Sequence, residues 1–177
     1  MKLRATALIT AMTVGCMVTA GYAAEPGREN AILSHAKVSM NQAITVAEEQ
    51  GAGQAIDAHF DSNSGAAGTY DVKVLSMDGK KLLDFNINPE NGRVLKATRE
   101  RVGKVFTRIK PADLQNAQTP LKGAIKAAEA QTGGKAVKAD TDRQGDTVRY
   151  TVKVVMADGK TDTIKVNGAD GKVASAR

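Results

Sequence analysis

An α+β protein built from two tandem copies of one unit, each a helix packed on a three- to four-stranded antiparallel sheet, is predicted by three observations. The 177-residue chain repeats itself: Gln42-Ala43-Ile44-Thr45-Val46-Ala47-Glu48-Glu49-Gln50 returns 81 positions later as Gly123-Ala124-Ile125-Lys126-Ala127-Ala128-Glu129-Ala130-Gln131. Tyr70-Asp71-Val72-Lys73-Val74 returns 80 positions later as Tyr150-Thr151-Val152-Lys153-Val154, so a helical pattern and a strand pattern recur in the same order. Turn dipeptides recur with them: Asp78-Gly79 as Asp158-Gly159, and Asn91-Gly92 as Asp170-Gly171, now 79 apart. A register that drifts by one residue at loops while apolar positions persist marks duplicated folding units. Two copies are too few for a solenoid, so each is expected to close its own small core.

Residues 1–23 read as a secretory signal rather than as part of the fold. Met1-Lys2-Leu3-Arg4 supplies a positive start, Ala5 to Ala20 is uncharged and mostly apolar, and Gly21-Tyr22-Ala23 places small residues where a signal peptidase cuts. Cleavage after Ala23 gives a mature start at Ala24 and a leader over 24–38. The uncharged run is long enough to span a membrane, but four threonines and two glycines interrupt it, so no stable span is expected after signal removal. Cys16, the one cysteine, lies inside this segment, leaving a mature chain without a thiol or disulfide. Thr13-Val14-Gly15-Cys16 resembles a lipobox with Thr where the motif wants Leu, so lipidation at Cys16 is disfavoured against a periplasmic or secreted soluble form.

The first repeat, over 39–98, opens with a helix. Ser39-Met40-Asn41-Gln42 is a capping box, and Met40, Ala43, Ile44 and Ala47 form one apolar stripe. The second repeat, over 119–177, opens with a Thr119 cap and Pro120 at the first helical position, followed by the stripe Leu121, Ala124, Ile125 and Ala128. Gly51 and Gly133 are expected to end the two helices in the left-handed conformation.

Three strands follow in each copy. Ile56, Ala58 and Phe60 alternate with Asp57, His59 and Asp61, and Val137 and Ala139 with Lys138 and Asp140. Tyr70, Val72 and Val74 alternate with Asp71, Lys73 and Leu75, matched by Tyr150, Val152 and Val154 against Thr151, Lys153 and Val155. Leu83, Phe85 and Ile87 correspond to Ile164 and Val166. Such period-two patterns indicate antiparallel strands with one buried face. Gly65-Ala66-Ala67-Gly68 and the Asp-Gly dipeptides supply the turns, and Val94-Leu95-Lys96 and Val173-Ala174 can form a fourth strand. The basic connecting segment over 99–118 carries Val102, Val105, Phe106 and Ile109, so it is expected to pack on a repeat rather than run free.

The composition excludes several functions. With Lys2 and Arg4 removed, 23 Lys+Arg face 19 Asp+Glu, a scattered net charge of +4. That reads as a solvated surface and not a nucleic-acid footprint, and the five aromatics that remain after residue 23 are too few to stack bases. The two histidines, His35 and His59, have no second donor at chelating spacing, so surface histidines are expected and no metal site. Asp140, Asp142 and Asp146 lack the Gly and Glu of a calcium loop and read as a solvated strand end. Tyr70 and Tyr150 are expected to be buried with the hydroxyl at the sheet edge. Nothing supports a catalytic constellation or a cofactor, so the chain is read as no enzyme.

The order of elements, an Ala-rich helix ending at Gly, a strand, Tyr-x-Val-x-Val, Asp-Gly, an alternating strand and an Asn/Asp-Gly-x-Val turn, resembles the PepSY domain, over roughly 39–98 and 119–175. That module occurs in propeptides of thermolysin-like secreted metalloproteases and in bacterial envelope proteins. The resemblance implies an exported non-catalytic module that binds a polypeptide partner, with a secreted metalloprotease as the specific candidate and protease inhibition or regulation as the task. A small-ligand or metal-sensing envelope module is the alternative. Leu75 and Val155 are apolar residues on strand faces expected to be wet, at corresponding places in both copies. With Asp71, Lys73 and Lys153 they form the candidate partner-binding strip, against the competing reading that the fold simply covers them.

Overall fold

The structure, a computed structural model, describes residues 26–100 and 108–175. The expected signal with Cys16, and Val102, Val105 and Phe106 of the connecting segment, lie outside the described residues. The element order is α1 (Pro26–Ser34), α2 (Met40–Gly51), β1 (Gly53–Asp61), β2 (Thr69–Ser76), β3 (Leu82–Ile87), β4 (Val94–Glu100), α3 (Pro111–Gln115), α4 (Leu121–Thr132), β5 (Lys135–Gln144), β6 (Thr147–Val155), β7 (Thr161–Asn167) and β8 (Val173–Ser175).

Each repeat is a helix on a four-stranded antiparallel meander, and the two meanders are joined. β1 pairs with β5 through Asp57↔Asp140, Ala58↔Ala139 and His59↔Lys138, giving one eight-stranded sheet in the order β4-β3-β2-β1-β5-β6-β7-β8. The expectation of two separate small cores is therefore corrected. A single hydrophobic cluster runs through both repeats, because a unit of this size buries too little surface by itself and its inner strand edge is satisfied by the other copy's inner edge.

Helices α2 and α4 lie side by side on one face of the sheet, where Lys122 Nζ on α4 meets Glu48 Oε2 on α2 at 2.7 Å. Their stripes are fully buried: Ala43, Ile44 and Ala47 in one, Ala124, Ile125 and Ala128 in the other. They rest on Ala58, Tyr70, Val72, Val74, Phe85 and Ile87 and on the matching Ala139, Tyr150, Val152, Val154, Ile164 and Val166, all buried. Each large side chain so buried contributes roughly 1.5–3 kcal/mol. The Ser39 capping box forms as expected: Ser39 N donates to Gln42 Oε1 (2.7 Å) and Gln42 N to Ser39 Oγ (3.3 Å).

Two helix ends differ from expectation. Pro120 at φ −73°, ψ 166° is itself the cap of α4, while Thr119 N donates to Gly168 O across the β7–β8 turn. At the end of α2 the left-handed residue is Ala52 (φ 46°), not Gly51. Gly51 is needed for a different reason. A Cβ there would come 2.9 Å from Val74 Cγ1 and 3.2 Å from Phe85 Cε2, so glycine lets the helix end settle on the sheet. In α4 the glycine sits one position later, and Gly133 adopts φ 70° as expected.

β-Bulges displace one apolar residue in each inner strand. The register shifts between Ala55 and Asp57 in β1 and between Ala136 and Lys138 in β5. Ile56 and Val137 thereby leave the helix face and line grooves with the charged residues of the opposite, back face. β5 runs through Asp140 and Asp142, so neither lies in a strand-end loop.

The leader and the connecting segment hold corresponding parts as well. Leu33 and Ala36 of the first correspond, 81 positions on, to Leu114 and Ala117 of the second; both leucines are buried and both alanines pack on the core. Each segment also reaches the other repeat. Asn30 Nδ2 donates to Met156 O at the β6–β7 hairpin (3.4 Å), and Pro111 abuts Gly79 in the β2–β3 hairpin, where an added Cβ would lie 3.0 Å from Pro111 Cγ.

Candidate functional site

The seam between the repeats concentrates charge on the back face of the sheet. In the repeat correspondence Asp57 matches Lys138 and His59 matches Asp140, both 81 apart. Antiparallel pairing at the seam then sets Asp57 opposite Asp140 and His59 opposite Lys138. β2 adds a second row, with Asp71 beside His59 and Lys73 beside Asp57. Strand alternation explains why all six share one face, since their neighbours Ala58, Val72 and Ala139 point into the core.

His59 is held by two carboxylates, with Nε2 3.3 Å from Asp71 Oδ2 and Nδ1 3.7 Å from Asp57 Oδ1. The two carboxylates, Asp57 first and then Asp71, outweigh burial and push its pKa up to about 10, so it is an imidazolium at neutral pH. Burial acts to raise the Asp57 carboxyl, but the neighbouring His59, the facing Asp140 and the positive charge of Lys138 leave it below its ordinary value. Asp140 goes the other way: burial and the facing Asp57 raise it, against the Lys138 ammonium 3.0 Å from its Oδ1. Asp71 is lowered despite burial by His59, Asn86 and Thr69; Asn86 Nδ2 and Thr69 Oγ1 both donate to its Oδ1.

Two grooves flank this row at corresponding places. The larger, about 520 Å³, is lined by Ile56, Asp57, Lys73, Arg108, Ile109, Lys138, Asp140 and neighbours. The smaller, about 240 Å³, is lined by Glu29, His59, Phe60, Val137, Lys138 and Lys153.

Of the expected binding strip, Asp71, Lys73 and Lys153 are half-buried on this back face. Leu75 and Val155 are not on a wet surface: they are 4% and 2% exposed and belong to the core cluster. Leu75 pairs with Leu82, also buried, and Ile109 and Leu114 of the connecting segment join the same cluster. The reading that the fold covers them is the one the structure favours. What sequence reasoning missed is the His59 cluster. The signal was present, because pairing Phe60 with Tyr70 across the Gly65–Gly68 hairpin puts His59 opposite Asp71.

A second surface lies at the rim. β4 pairs with β3 on one side, and among the described residues no strand lies on its other side. Leu95 to Arg99 are exposed along it, Leu95 by 57%. At the opposite rim β8 has three residues, Val173–Ser175, among the described residues. Among the described residues, no group of three or more His, Cys, Asp or Glu is placed to hold a metal ion, and no helix is long and apolar enough to cross a membrane.

Three comparisons bear on this architecture. The family described as "Peptidase propeptide and YPEB domain", PepSY, matches residues 37–98 and 120–177. The chain is 31% identical over 94 residues to the "Uncharacterized membrane protein YkoI" of Bacillus subtilis (strain 168), covering 51% of this chain. It spans only 42% of that relative's length. Among solved structures it is similar to "a putative lipoprotein" from Clostridium difficile 630, with a TM-score of 0.50 and 19% identity over 84% of this chain and 99% of that one. That likeness concerns the fold alone.

Proposed function

The chain belongs to the PepSY family, and from that premise we propose that it is an exported, non-catalytic module that binds a polypeptide partner and thereby restrains an envelope or secreted protease. The observation that carries this reading is the outer edge of β4, seven residues of strand that no other strand pairs with among the described residues, so that a strand can be added there. The name of the curated relative, a membrane protein, supports an envelope setting. Asp71, Lys73 and Lys153 belong to the proposal as a polar contact face, with Leu75 and Val155 as its buried support.

Incubating the mature protein, residues 24–177, with secreted metalloproteases from the same source tests the reading. Saturable inhibition at equimolar protein is expected; no inhibition together with no bound polypeptide would overturn it. N-terminal sequencing of envelope-fraction protein tests export, with Ala24 as the expected first residue and an intact Met1 in cytosolic protein as the refuting result.

A second reading, a small-ligand module, is favoured by the charged groove of about 520 Å³ at the seam. A thermal-shift screen separates the two, because a ligand held there raises Tm by mass action and Arg108→Ala removes the rise.

A further inference from the structure

We propose that the polypeptide taken up by β4 is acidic and extended, with two carboxylates spaced three residues apart. This deepens the polypeptide-binding reading and rests on it. Arg93, in the turn before β4, and Lys96 and Arg99 within it are all exposed. None of the three has an ion-pair partner among the described residues, in contrast to Lys160 and Lys172, each clasped at 2.9 Å by an aspartate of its own turn. The rim of the first repeat therefore presents cations that no described residue neutralises.

Pairing with β3 fixes where these cations point. Arg99 sits beside Leu83, in the row of Phe85 and Ile87 that faces the helices, and Lys96 beside Asn86 in the back-face row. A strand added along β4 meets one cation on each of its faces. Residues an odd number apart in a strand point to opposite faces, so acids at i and i+3 of the incoming strand reach both, whereas acids at i and i+2 reach one. Laid edge to edge in the register that sets Lys96 opposite Arg99, two copies of β4 would juxtapose like charges, whereas an acidic strand meets these cations with opposite charge. The register shift between Lys96 and Val94 leaves Leu95 as the bulged residue, and its exposed side chain gives an apolar contact beside the paired acids.

The experiment uses the mature protein and three seven-residue peptides, acetylated and amidated. Thr-Glu-Val-Thr-Glu-Val-Thr carries the i, i+3 spacing, Thr-Glu-Val-Glu-Thr-Val-Thr the i, i+2 spacing, and Thr-Lys-Val-Thr-Lys-Val-Thr the opposite charge. The first is expected to bind about tenfold more tightly than the lysine peptide, and severalfold more tightly than the second, with the advantage shrinking at high salt. Lys96→Glu with Arg99→Glu should reverse the preference toward the lysine peptide while circular dichroism and Tm stay unchanged, as both positions are exposed. Backbone N-methylation of alternate peptide residues should abolish binding if a strand is added. Equal affinities, an unreversed preference, binding that survives N-methylation, or no binding at all overturns the proposal. Protease inhibition retained by the double variant would place the partner elsewhere on the molecule and leave the broader reading standing. Loss of inhibition and of every peptide by the wild-type protein removes both.

Discussion

His59 keeps its proton because two carboxylates reach it from two strands, and this makes the seam sensitive to pH. Its folded pKa of about 10 lies above the ordinary value of 6.5. The stability contributed by the bound proton is fully present below about 6.5 and is lost as pH rises through the folded value. The side chain is 38% exposed, so solvent screening reduces the effect to about 1 kcal/mol. Asp57 and Asp71, lowered in the fold, contribute stability above their unfolded value of 3.8 that is lost as pH falls through their folded values; the raised Asp140 offsets part of this. Stability measured by urea unfolding should therefore be highest between about pH 4.5 and 6.5 and decline toward pH 10. His59→Gln should abolish the alkaline decline and also weaken the acid one, because His59 is the leading influence that lowers Asp57 and Asp71. An unchanged alkaline slope in the variant would show that His59 does not hold the proton.

The two helix ends make a matched experiment at the scale of an element. In α2 a non-glycine residue, Ala52, takes the left-handed conformation; in α4 the same place is held by Gly133, and both are exposed. A left-handed alanine costs roughly 1–2 kcal/mol, so Ala52→Gly should raise Tm and Gly133→Ala should lower it, each by a few degrees. Gly51→Ala should also lower Tm, because its Cβ would crowd Val74 and Phe85. If Ala52→Gly destabilised the protein, the assignment of the left-handed position would be wrong. Element by element, the sequence was legible wherever period and local chemistry agree: both helix stripes, the Ser39 capping box, the strand alternation and the Asp-Gly turns. It misled at Gly51, where a glycine next to a helix end reads as a cap although tertiary contact is what demands it. It also misled at Ile56 and Val137, which a period of two assigns to the core face and a bulge moves to the other. A bulge costs one residue of register, which alternation alone does not reveal.

At the scale of the whole molecule, the joining of the two sheets decides how the protein unfolds. The repeat was plain in the sequence, but the union of the copies was not, since inner-strand residues such as Ala58 and Ala139 are equally compatible with an open edge and a paired one. Only three residue pairs make the seam, yet it does not act alone. Ala58 and Ala139 at its centre are fully buried, Lys122 ties α4 to Glu48 and Thr45 of α2, and α1 and α3 each reach the opposite repeat's hairpin. Separating the repeats would expose both inner edges and divide the shared core, so neither should persist once the other has melted. Calorimetry should give one transition, with calorimetric and van't Hoff enthalpies equal. Ile44→Ala and Ile125→Ala, each truncating a fully buried side chain in a different repeat, should each cost about 2–5 kcal/mol and move that single transition as a whole. Two resolved transitions, of which Ile44→Ala shifts one and Ile125→Ala the other, would mean that the seam is a contact between independent domains. The alkaline loss of stability assigned to His59 would then fall on the first repeat's transition alone, because Asp57 and Asp71 belong to the same repeat as His59.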